Sequence, residues 1–422
     1  MSRNKELIIH AQDEIEGDVS IGGSKNATLP CCAASLLSDE IVTLSNVPDV
    51  SDILTMNQIL QELGVSLKYN DKVLTITNAS IESRELPLIS QRIRGSTILM
   101  GALLAKYGEV IIHGYGGCAI GSRPIDLHLN AFKALGANVI ETPEKTIVRA
   151  DQLKGTKITF PVPSVGATEN TILAACGAEG TTLIKNAAIE PEVSNMITLL
   201  RQMGMDVSLN STYREVIIHG GLSTSGVKHK IIPDRIEAGT YAIIGAIAKG
   251  ELTLHDIVAT HLESLFGMLE QIGVEIEYLD SNTARIVSDG NTLRNTMVST
   301  APYPGFPTDL QAQTTTLLTQ CNGTSKIRES IFEDRFKHVT QLNKMGASIE
   351  MHGDTLVIEG RKQLKGVSVK ASELRGGMSL VIAGLVASGT TIVQGFEHIE
   401  RGYECLPQKL LNIGASIEVI EH

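Results

Sequence analysis

The hydrophobic positions of the chain follow a long-period pattern. A phrase of the form apolar–Gly–x–x–apolar begins at positions 63, 135, 203, 272, 345 and 413, so it returns every 68 to 73 residues. Each copy follows a stretch with helical periodicity and precedes an alternating, strand-like stretch such as 349–351. The glycine suits the left-handed residue that ends a helix. The pattern therefore predicts six copies of one supersecondary unit.

A second phrase keeps the same period and completes the unit. Its second residue is a glycine, and it begins at positions 107, 179, 249, 322 and 388. Each copy follows a small, apolar stretch without a charged face, such as 380–384, which predicts a helix buried on all sides. The other helix of each unit is amphipathic, as in 127–135. Each unit therefore predicts a strand, a buried helix, a strand, an outer helix and a strand pair.

The six units predict an α/β protein of two domains with three units each. Solenoid repeats of roughly 20–45 residues are shorter than these units. We place the domain border near residues 231–233, and the first strand, near 7–10, with the C-terminal half. The predicted domains are residues 1–22 plus 233–422, and residues 23–232.

Composition narrows the class of partner. Aromatic residues make up 4% of the 422 residues and Trp is absent, which disfavours nucleic-acid binding by base stacking, and the net charge of −11 disfavours a polyanion partner. The six cysteines form no C-x-x-C pair, so a zinc site is not expected. Six cysteines in 422 residues are also too sparse for a disulfide scaffold. The chain shows no signal peptide or membrane-spanning stretch. We expect a soluble, cytoplasmic protein with no nucleic-acid or membrane partner.

The predicted buried helices begin with charged and small residues. Five of the six starts carry a charge: Lys25, Arg94, Arg235, Asp309 and Arg375. Helix N-termini attract anions, so a cleft lined by these starts would suit phosphate and carboxylate ligands. The alternative is that the Ser, Thr and Asp residues there are ordinary N-caps. The chain contains neither a Walker loop nor a G-x-G-x-x-G motif.

The segment 113–129 carries the strongest candidate nucleophile, Cys118. Four glycines surround this thiol, and Arg123 could lower its pKa. The alternative role of a free cysteine, a small buried hydrophobe, suits Cys31, Cys32, Cys176 and Cys321, which lie within or beside apolar helices. Asp126 and His128 could be ordinary first-turn polar residues.

Seven phrases, in order, carry a family resemblance: GGSKNATLP, GGCAIGSRPIDLH, SVGAT, PDRIEAGT, FPTDLQAQ, IFEDRF and HIERGYE. With them the whole chain resembles the UDP-N-acetylglucosamine 1-carboxyvinyltransferases, enolpyruvyl transferases of bacterial peptidoglycan synthesis and targets of fosfomycin. The resemblance implies two inside-out α/β barrels, each of three βαβαββ units. It implies two small-molecule substrates, UDP-N-acetylglucosamine and phosphoenolpyruvate, and no cofactor or metal.

The resemblance also implies the roles of individual residues. Catalysis would involve Cys118, which would also form the covalent adduct, with Asp309, Lys25 and Arg401. Phosphoenolpyruvate would be bound by Lys25, Asn26, Arg123, Arg335, Arg375 and Arg401. UDP-N-acetylglucosamine would be bound by Arg94, Arg123, Pro124, Ile125, Asp126, Leu127, Ser164, Val165, Gly166, Asp309 and Ile331. The chain departs from some family members at Val162, Glu373, Asp49 and Ser51, which affects ligand affinity more than the reaction.

The implied reaction is attack of the sugar 3′-hydroxyl on C2 of phosphoenolpyruvate, with Asp309 as base and Cys118 as proton donor to C3. Whether Cys118 acts mainly as acid or as nucleophile stays open. Two alternatives differ in class. One is transfer to shikimate 3-phosphate, which the Cys118 loop disfavours, and the other is a repeat scaffold or nucleotide sensor without turnover.

Overall fold

The computed structural model describes residues 5–12, 14–78, 81, 83–114 and 124–422. These residues form two compact units. The C-terminal unit consists of residues 5–22 and 233–422, and the N-terminal unit consists of the described part of 23–232. Cys118 and Arg123 lie outside the described residues.

The described residues contain twelve α-helices and five short 3₁₀ helices. The α-helices are α1 (Lys25–Ser35), α2 (Ser51–Glu62), α3 (Leu99–Tyr107), α4 (Asp126–Ala134), α5 (Val165–Cys176), α6 (Pro191–Gln202), α7 (Arg235–Ile247), α8 (Glu263–Ile272), α9 (Gln311–Leu318), α10 (Lys337–Lys344), α11 (Leu374–Val386) and α12 (Leu406–Asn412). The 3₁₀ helices are Leu88–Arg92, Arg94–Ile98, Ala259–His261, Thr308–Leu310 and Phe396–His398.

Twenty-three strands form six small sheets within the described chain. They are β1 (Lys5–His10), β2 (Gly17–Ser20), β3 (Val42–Ser45), β4 (Ser66–Asn70), β5 (Val73–Thr77), β6 (Glu109–Ile112), β7 (Asn138–Glu141), β8 (Thr146–Arg149), β9 (Lys157–Thr159), β10 (Thr181–Lys185), β11 (Asp206–Asn210), β12 (Glu215–His219), β13 (Val227–Lys230), β14 (Gly250–His255), β15 (Glu275–Tyr278), β16 (Ala284–Ser288), β17 (Met297–Ser299), β18 (Gly323–Arg328), β19 (Ser348–His352), β20 (Thr355–Gly360), β21 (Ser368–Lys370), β22 (Thr390–Gln394) and β23 (Ser416–Glu421).

The third repeat shows the predicted unit in its complete form. Its chain order is β9, α5, β10, α6, β11 and β12, and its sheet order is β11-β12-β10-β9. Strands β9 and β10 are parallel because α5 crosses between them, whereas β10, β12 and β11 pair antiparallel. The fifth repeat has the same arrangement, in the order β17-β18-β20-β19. The predicted α/β class and repeat order are confirmed.

The glycines of both sequence phrases have left-handed backbone. The six of the first phrase have φ angles between 85° and 106°: Gly64, Gly136, Gly204, Gly273, Gly346 and Gly414. The five of the second phrase also have positive φ: Gly108, Gly180, Gly250, Gly323 and Gly389. A side chain would be strained at such angles, so the glycine period records where each repeat must turn.

The N-terminal strand β1 completes the sixth repeat. That repeat has only one strand, β23, after α12, and β1 pairs antiparallel with both β22 and β23. The resulting order, β21-β22-β1-β23, matches that of the third repeat. Strand β1 therefore lies in a sheet with strands of the C-terminal half.

The first and fourth repeats exchange their first strands. Strand β2 precedes α1 in the chain but pairs in parallel with β14 of the C-terminal unit. Strand β13 precedes α7 but pairs in parallel with β3 of the N-terminal unit. Each unit therefore contains three sheets, and the chain changes unit after Gly22 and again after Ile232.

Each unit has its own aliphatic core, and one helix of each repeat is buried there. In α5 ten of twelve residues are buried, and in α11 twelve of thirteen. Helix α9 is the polar exception, since all eight residues from Gln311 to Leu318 are buried although five are Gln or Thr. The hydroxyl groups of Thr315 and Thr316 donate to backbone carbonyls, as when Thr316 donates to that of Ser379 at 3.0 Å.

Candidate active site

The start of α1 in the N-terminal unit presents Lys25 and Asn26. Ser24 caps the helix by accepting from the Ala27 amide at 3.3 Å. Lys25 is the first helical residue, and its Nζ donates to Oδ2 of Asp52, in the first turn of α2, at 2.9 Å. Both side chains are largely buried, so the carboxylate compensates the desolvated ammonium group.

Arg94 and the segment 124–127 lie together in the same unit. Arg94 begins a 3₁₀ helix, and its Nη2 is 3.5 Å from the Pro124 carbonyl oxygen. Ile125 is buried, whereas Asp126 begins α4 and is exposed. Two of the segments that the resemblance assigned to one ligand are therefore neighbours.

The start of α5 carries Ser164, Val165 and Gly166. Ser164 caps the helix by accepting from the Ala167 amide at 3.4 Å. A Cβ placed on Gly166 would come within 3.1 Å of Cε1 of His128, so this helix start packs closely against α4. Free N–H groups at a helix start suit an anionic ligand.

Asn170 ties these helix starts to one another. Its amide nitrogen donates to Nδ1 of His128 at 2.8 Å and to the Thr97 carbonyl at 3.0 Å. Its amide oxygen accepts from the Gly101 amide at 2.7 Å. The buried amide therefore fixes α5 against α3, α4 and the 3₁₀ helix that begins at Arg94.

In the C-terminal unit, Asp309 is paired with two buried arginines. Nη2 of Arg335 is 2.6 Å from Oδ1 of Asp309, and Nη2 of Arg375 is 3.1 Å from Oδ2. The two arginine side chains are 4% exposed, whereas the aspartate is 28% exposed. One carboxylate therefore holds two guanidinium groups at the partly exposed edge of the cluster.

The surroundings of the two arginines determine the charge of the cluster. Burial alone would lower the pKa of Arg375, but the Asp309 carboxylate and Tyr403 outweigh burial, so the pKa is raised and the guanidinium stays charged. The Arg375 guanidinium lies 5.5 Å from the centre of the Tyr403 ring. Burial and then Arg335 lower the pKa of His338 to about 3, so this neighbouring imidazole is neutral and adds no positive charge.

Of the remaining predicted residues of this unit, two lie on turns and one begins a helix. Ile331 is 37% exposed in the turn after β18. Arg401 is half-buried in the turn before α12. Arg235 is the first residue of α7, and its guanidinium is 5.6 Å from the centre of the Tyr303 ring.

Four of the five described cysteines are buried and unreactive. Burial raises the pKa of Cys32, Cys176 and Cys321 to about 12 and raises that of Cys31 well above its ordinary value. This confirms their expected role as small core residues. Cys405 is exposed.

Sequence reasoning missed several polar residues that hold the predicted ones. Asp52 neutralises Lys25, Asn170 joins α5 to three other elements, and Thr308 bonds Arg335. The signal for Thr308 was its place beside Asp309. Within the described ranges, no group of three or more His, Cys, Asp or Glu side chains could hold a metal ion, and no helix is long and apolar enough to cross a membrane.

Comparison with known proteins places the chain among carboxyvinyl transferases. Residues 9–410 match the family described as EPSP synthase (3-phosphoshikimate 1-carboxyvinyltransferase). A UDP-N-acetylglucosamine 1-carboxyvinyltransferase of Finegoldia magna is 42% identical over 96% of this chain and 97% of its own. A UDP-N-acetylglucosamine 1-carboxyvinyltransferase 2 of Carboxydothermus hydrogenoformans is 44% identical over 98% of this chain and 99% of its own.

Solved structures share the fold at lower identity. The enolpyruvyl transferase NikO from Streptomyces tendae superposes with a TM-score of 0.91 at 23% identity, and each chain is covered completely. An EPSP synthase from Acinetobacter baumannii superposes with a TM-score of 0.77 at 18% identity, covering 99% of this chain and 100% of the other. Both confirm the predicted fold.

Proposed function

The chain belongs to the EPSP synthase family of enolpyruvyl transferases, and we propose that it transfers the enolpyruvyl group of phosphoenolpyruvate to the 3′-hydroxyl of UDP-N-acetylglucosamine. In the addition step the sugar oxygen bonds to C2 of phosphoenolpyruvate, its proton passes to a base, and C3 gains a proton. In the elimination step C3 loses a proton, the C2–O bond to phosphate breaks, and inorganic phosphate leaves. The product is the first committed intermediate of bacterial peptidoglycan synthesis.

The choice of UDP-N-acetylglucosamine as the acceptor substrate rests on sequence identity along the whole chain. Relatives named for UDP-N-acetylglucosamine are 42–44% identical over at least 96% of this chain, whereas the EPSP synthase structure is 18% identical. A nucleotide sugar and phosphoenolpyruvate are metabolites of the cytoplasm, so we place the reaction there.

The polar groups of the N-terminal unit suit the anionic parts of both substrates. We assign phosphoenolpyruvate to Lys25 and Asn26, with Arg123. The nucleotide sugar and its diphosphate would be held by residues at or near the helix starts of this unit: Arg94, Arg123, Pro124, Ile125, Asp126, Leu127, Ser164, Val165 and Gly166. The support for this assignment is that Arg94 contacts Pro124 and that Gly166 packs against the helix of Asp126.

The C-terminal unit would supply the base. Asp309 is the partly exposed carboxylate of its ion-pair cluster, so it can meet the sugar hydroxyl. Arg335 and Arg375 would also receive the carboxylate of phosphoenolpyruvate, and that anion would compete with Asp309 for the two guanidinium groups. Ile331, which is exposed beside this cluster, would contact the nucleotide sugar.

Cys118 would donate the proton to C3 and would form the covalent adduct with phosphoenolpyruvate. Lys25, Arg123 and Arg401 would stabilise the charge on the departing phosphate. Each of these charges acts on an oxygen of the substrate that becomes more negative in the transition state.

Replacing Cys118 tests this assignment. Cys118→Ala is expected to lower phosphate release by at least about 100-fold, because general acid catalysis contributes roughly 10²–10⁴-fold. Cys118→Asp keeps an acidic group and is expected to retain activity while resisting fosfomycin. The readout is inorganic phosphate released from phosphoenolpyruvate and UDP-N-acetylglucosamine, with and without fosfomycin.

Cys405→Ser is the matched control, because Cys405 is the exposed thiol among the described cysteines and the other four are buried. It should remain fully active and fully sensitive to fosfomycin. Near-normal turnover by Cys118→Ala, or inactivation of Cys118→Asp by fosfomycin, would contradict the role of Cys118.

A further inference from the structure

Glu329 is a buried carboxylate beside the Asp309 cluster that the reaction scheme above does not use. It follows β18 directly and is 4% exposed, and its own amide donates to the Asp354 carbonyl at 2.8 Å. A buried carboxylate is costly unless hydrogen-bond donors surround it, so its partners show what it organises.

Four donors surround the two oxygens of Glu329. Oε1 accepts from the Thr300 hydroxyl at 3.0 Å and from the amides of Ile331 at 2.9 Å and Phe332 at 3.2 Å. Oε2 accepts from the Thr308 hydroxyl at 2.8 Å. All four partners donate, so the site is built for an ionised carboxylate, which only accepts.

The bond to Thr308 continues towards Asp309. A threonine hydroxyl has one proton, and donating it to Glu329 leaves the lone pairs of Thr308 to accept from Nη1 of Arg335, at 2.8 Å. Nη2 of the same guanidinium is 2.6 Å from Oδ1 of Asp309. Thr308 therefore connects Arg335, which can only donate, to Glu329, which accepts the hydroxyl proton and fixes where it points.

Glu329 is also connected to Arg335 through the backbone of the following turn. Glu329 holds the amides of Ile331 and Phe332, and the Phe332 ring centre lies 5.2 Å from the Arg335 guanidinium. One carboxylate thus fixes both the turn that leads to Arg335 and the hydroxyl that this arginine contacts.

We propose that Glu329 is a positioning residue for the transfer reaction: through Thr308 it orients Arg335 against Asp309. The proposal rests on the proposed function, since Asp309 and Arg335 serve the reaction there. A carboxylate that only capped the turn at 331–332 would stabilise the protein without acting through Thr308, and this difference can be measured.

The test is a double-mutant cycle on the phosphate-release assay. Glu329→Gln removes the negative charge and can present an amide N–H to Thr308, so the hydroxyl loses the acceptor that holds it in place. Thr308→Val keeps the shape of threonine and removes the hydroxyl. Each variant should lower kcat by about 10- to 100-fold, the range expected when a catalytic group is misplaced by about 1 Å. The double variant should lose little more than either single variant, because both remove the same connection.

Two variants separate this role from a structural one. Thr308→Ser retains the hydroxyl and should restore kcat to within about threefold of wild type, an effect of the size of a neutral substitution. Thr300→Val removes the other hydroxyl on Glu329, which bonds this carboxylate and the Ser330 amide but not the Arg335 side chain, and should also stay within about threefold. Urea unfolding of every variant shows whether a loss of kcat follows a loss of stability.

A normal kcat for Thr308→Val, or multiplicative losses in the double variant, would overturn the proposal, and the Thr308 variants decide the matter even if Glu329→Gln fails to fold. An active wild type with unaffected variants would overturn the role of Glu329 alone. An inactive wild type would overturn the proposed function and, with it, the reaction that Glu329 is proposed to serve.

Discussion

Glu169 is a carboxyl group inside helix α5 of the N-terminal unit. Its residue is 6% exposed, and within the described parts of the chain its Oε1 has no hydrogen-bond partner. Burial, followed by the nearby Glu192 and Glu190 carboxylates, raises its pKa well above the ordinary value. The folded protein therefore holds this group in its neutral, protonated form at pH values where a free glutamate is ionised.

This raised pKa predicts how stability depends on pH. Below the ordinary pKa both states bind the proton, but above it the unfolded chain releases the proton and the folded chain does not. The free energy of unfolding therefore falls as pH rises, by about 1.4 kcal/mol per pH unit from Glu169, until the raised pKa of the folded state is reached. Glu169→Gln stays neutral, so its stability relative to wild type should increase from pH 5 to pH 7 in urea unfolding. Glu144→Gln, at an exposed position, is the control, and an equal difference at both pH values for Glu169→Gln would contradict the prediction.

Residues at helix starts could be predicted from the sequence, but their partners could not. Lys25 and Asp309 stand in recognisable phrases. Asp52 is 27 positions from Lys25, and Glu329 is 21 positions from Thr308, so both pairings depend on how separate elements of one repeat pack. A single sequence gives no sign of which distant carboxylate meets a given cation.

Helix α11 shows how one cap positions a functional side chain. Glu373 precedes the helix, and its carboxylate accepts from the amides of Arg375, at 2.8 Å, and Gly376. The sequence marked Glu373 as a departure from an aspartate in related chains, and the structure shows that glutamate still serves as the N-cap. The cap fixes the first turn, from which Arg375 reaches Asp309.

Removing this cap should destabilise the protein. Glu373→Ala is expected to lower the free energy of unfolding by about 1–2 kcal/mol, because it leaves buried amides without an acceptor, whereas Glu373→Asp should retain most of the stability. Urea unfolding monitored by circular dichroism measures both. Glu275→Ala, at an exposed position in β15, is the control. A loss for Glu373→Asp as large as that for Glu373→Ala would count against the capping role.

The regular spacing of the glycines predicted the order of helices and strands well, because each repeated glycine lies at a left-handed turn between two elements. The second repeat is the exception. Its first strand is reduced to a single bridge between Glu85 and Ile111, and its buried helix is preceded by two 3₁₀ helices. The phrase RIRGST at 92–97 resembles the other helix starts in composition, so the sequence could not show this change of helix type.

At the level of the whole chain, the number of repeats could be predicted from the sequence, whereas the pairing of their strands could be predicted only in part. The six sheets follow from the six repeats, and β1 was expected with the C-terminal half. The predicted domains, residues 1–22 plus 233–422 and residues 23–232, assign β2 and β13 to the units in which they pair, but their partner strands β14 and β3 were not predicted. Strands β2 and β13 each pair in the unit that the chain is about to leave.

The central claim is transfer of an enolpyruvyl group to UDP-N-acetylglucosamine by a member of this fold family. The most direct measurement is phosphate release by the wild-type protein from phosphoenolpyruvate with either UDP-N-acetylglucosamine or shikimate 3-phosphate, with the product identified by mass spectrometry. We expect release only with the nucleotide sugar, which gains a carboxyvinyl group. Release with shikimate 3-phosphate instead, or binding of the nucleotide sugar without release, would contradict the account.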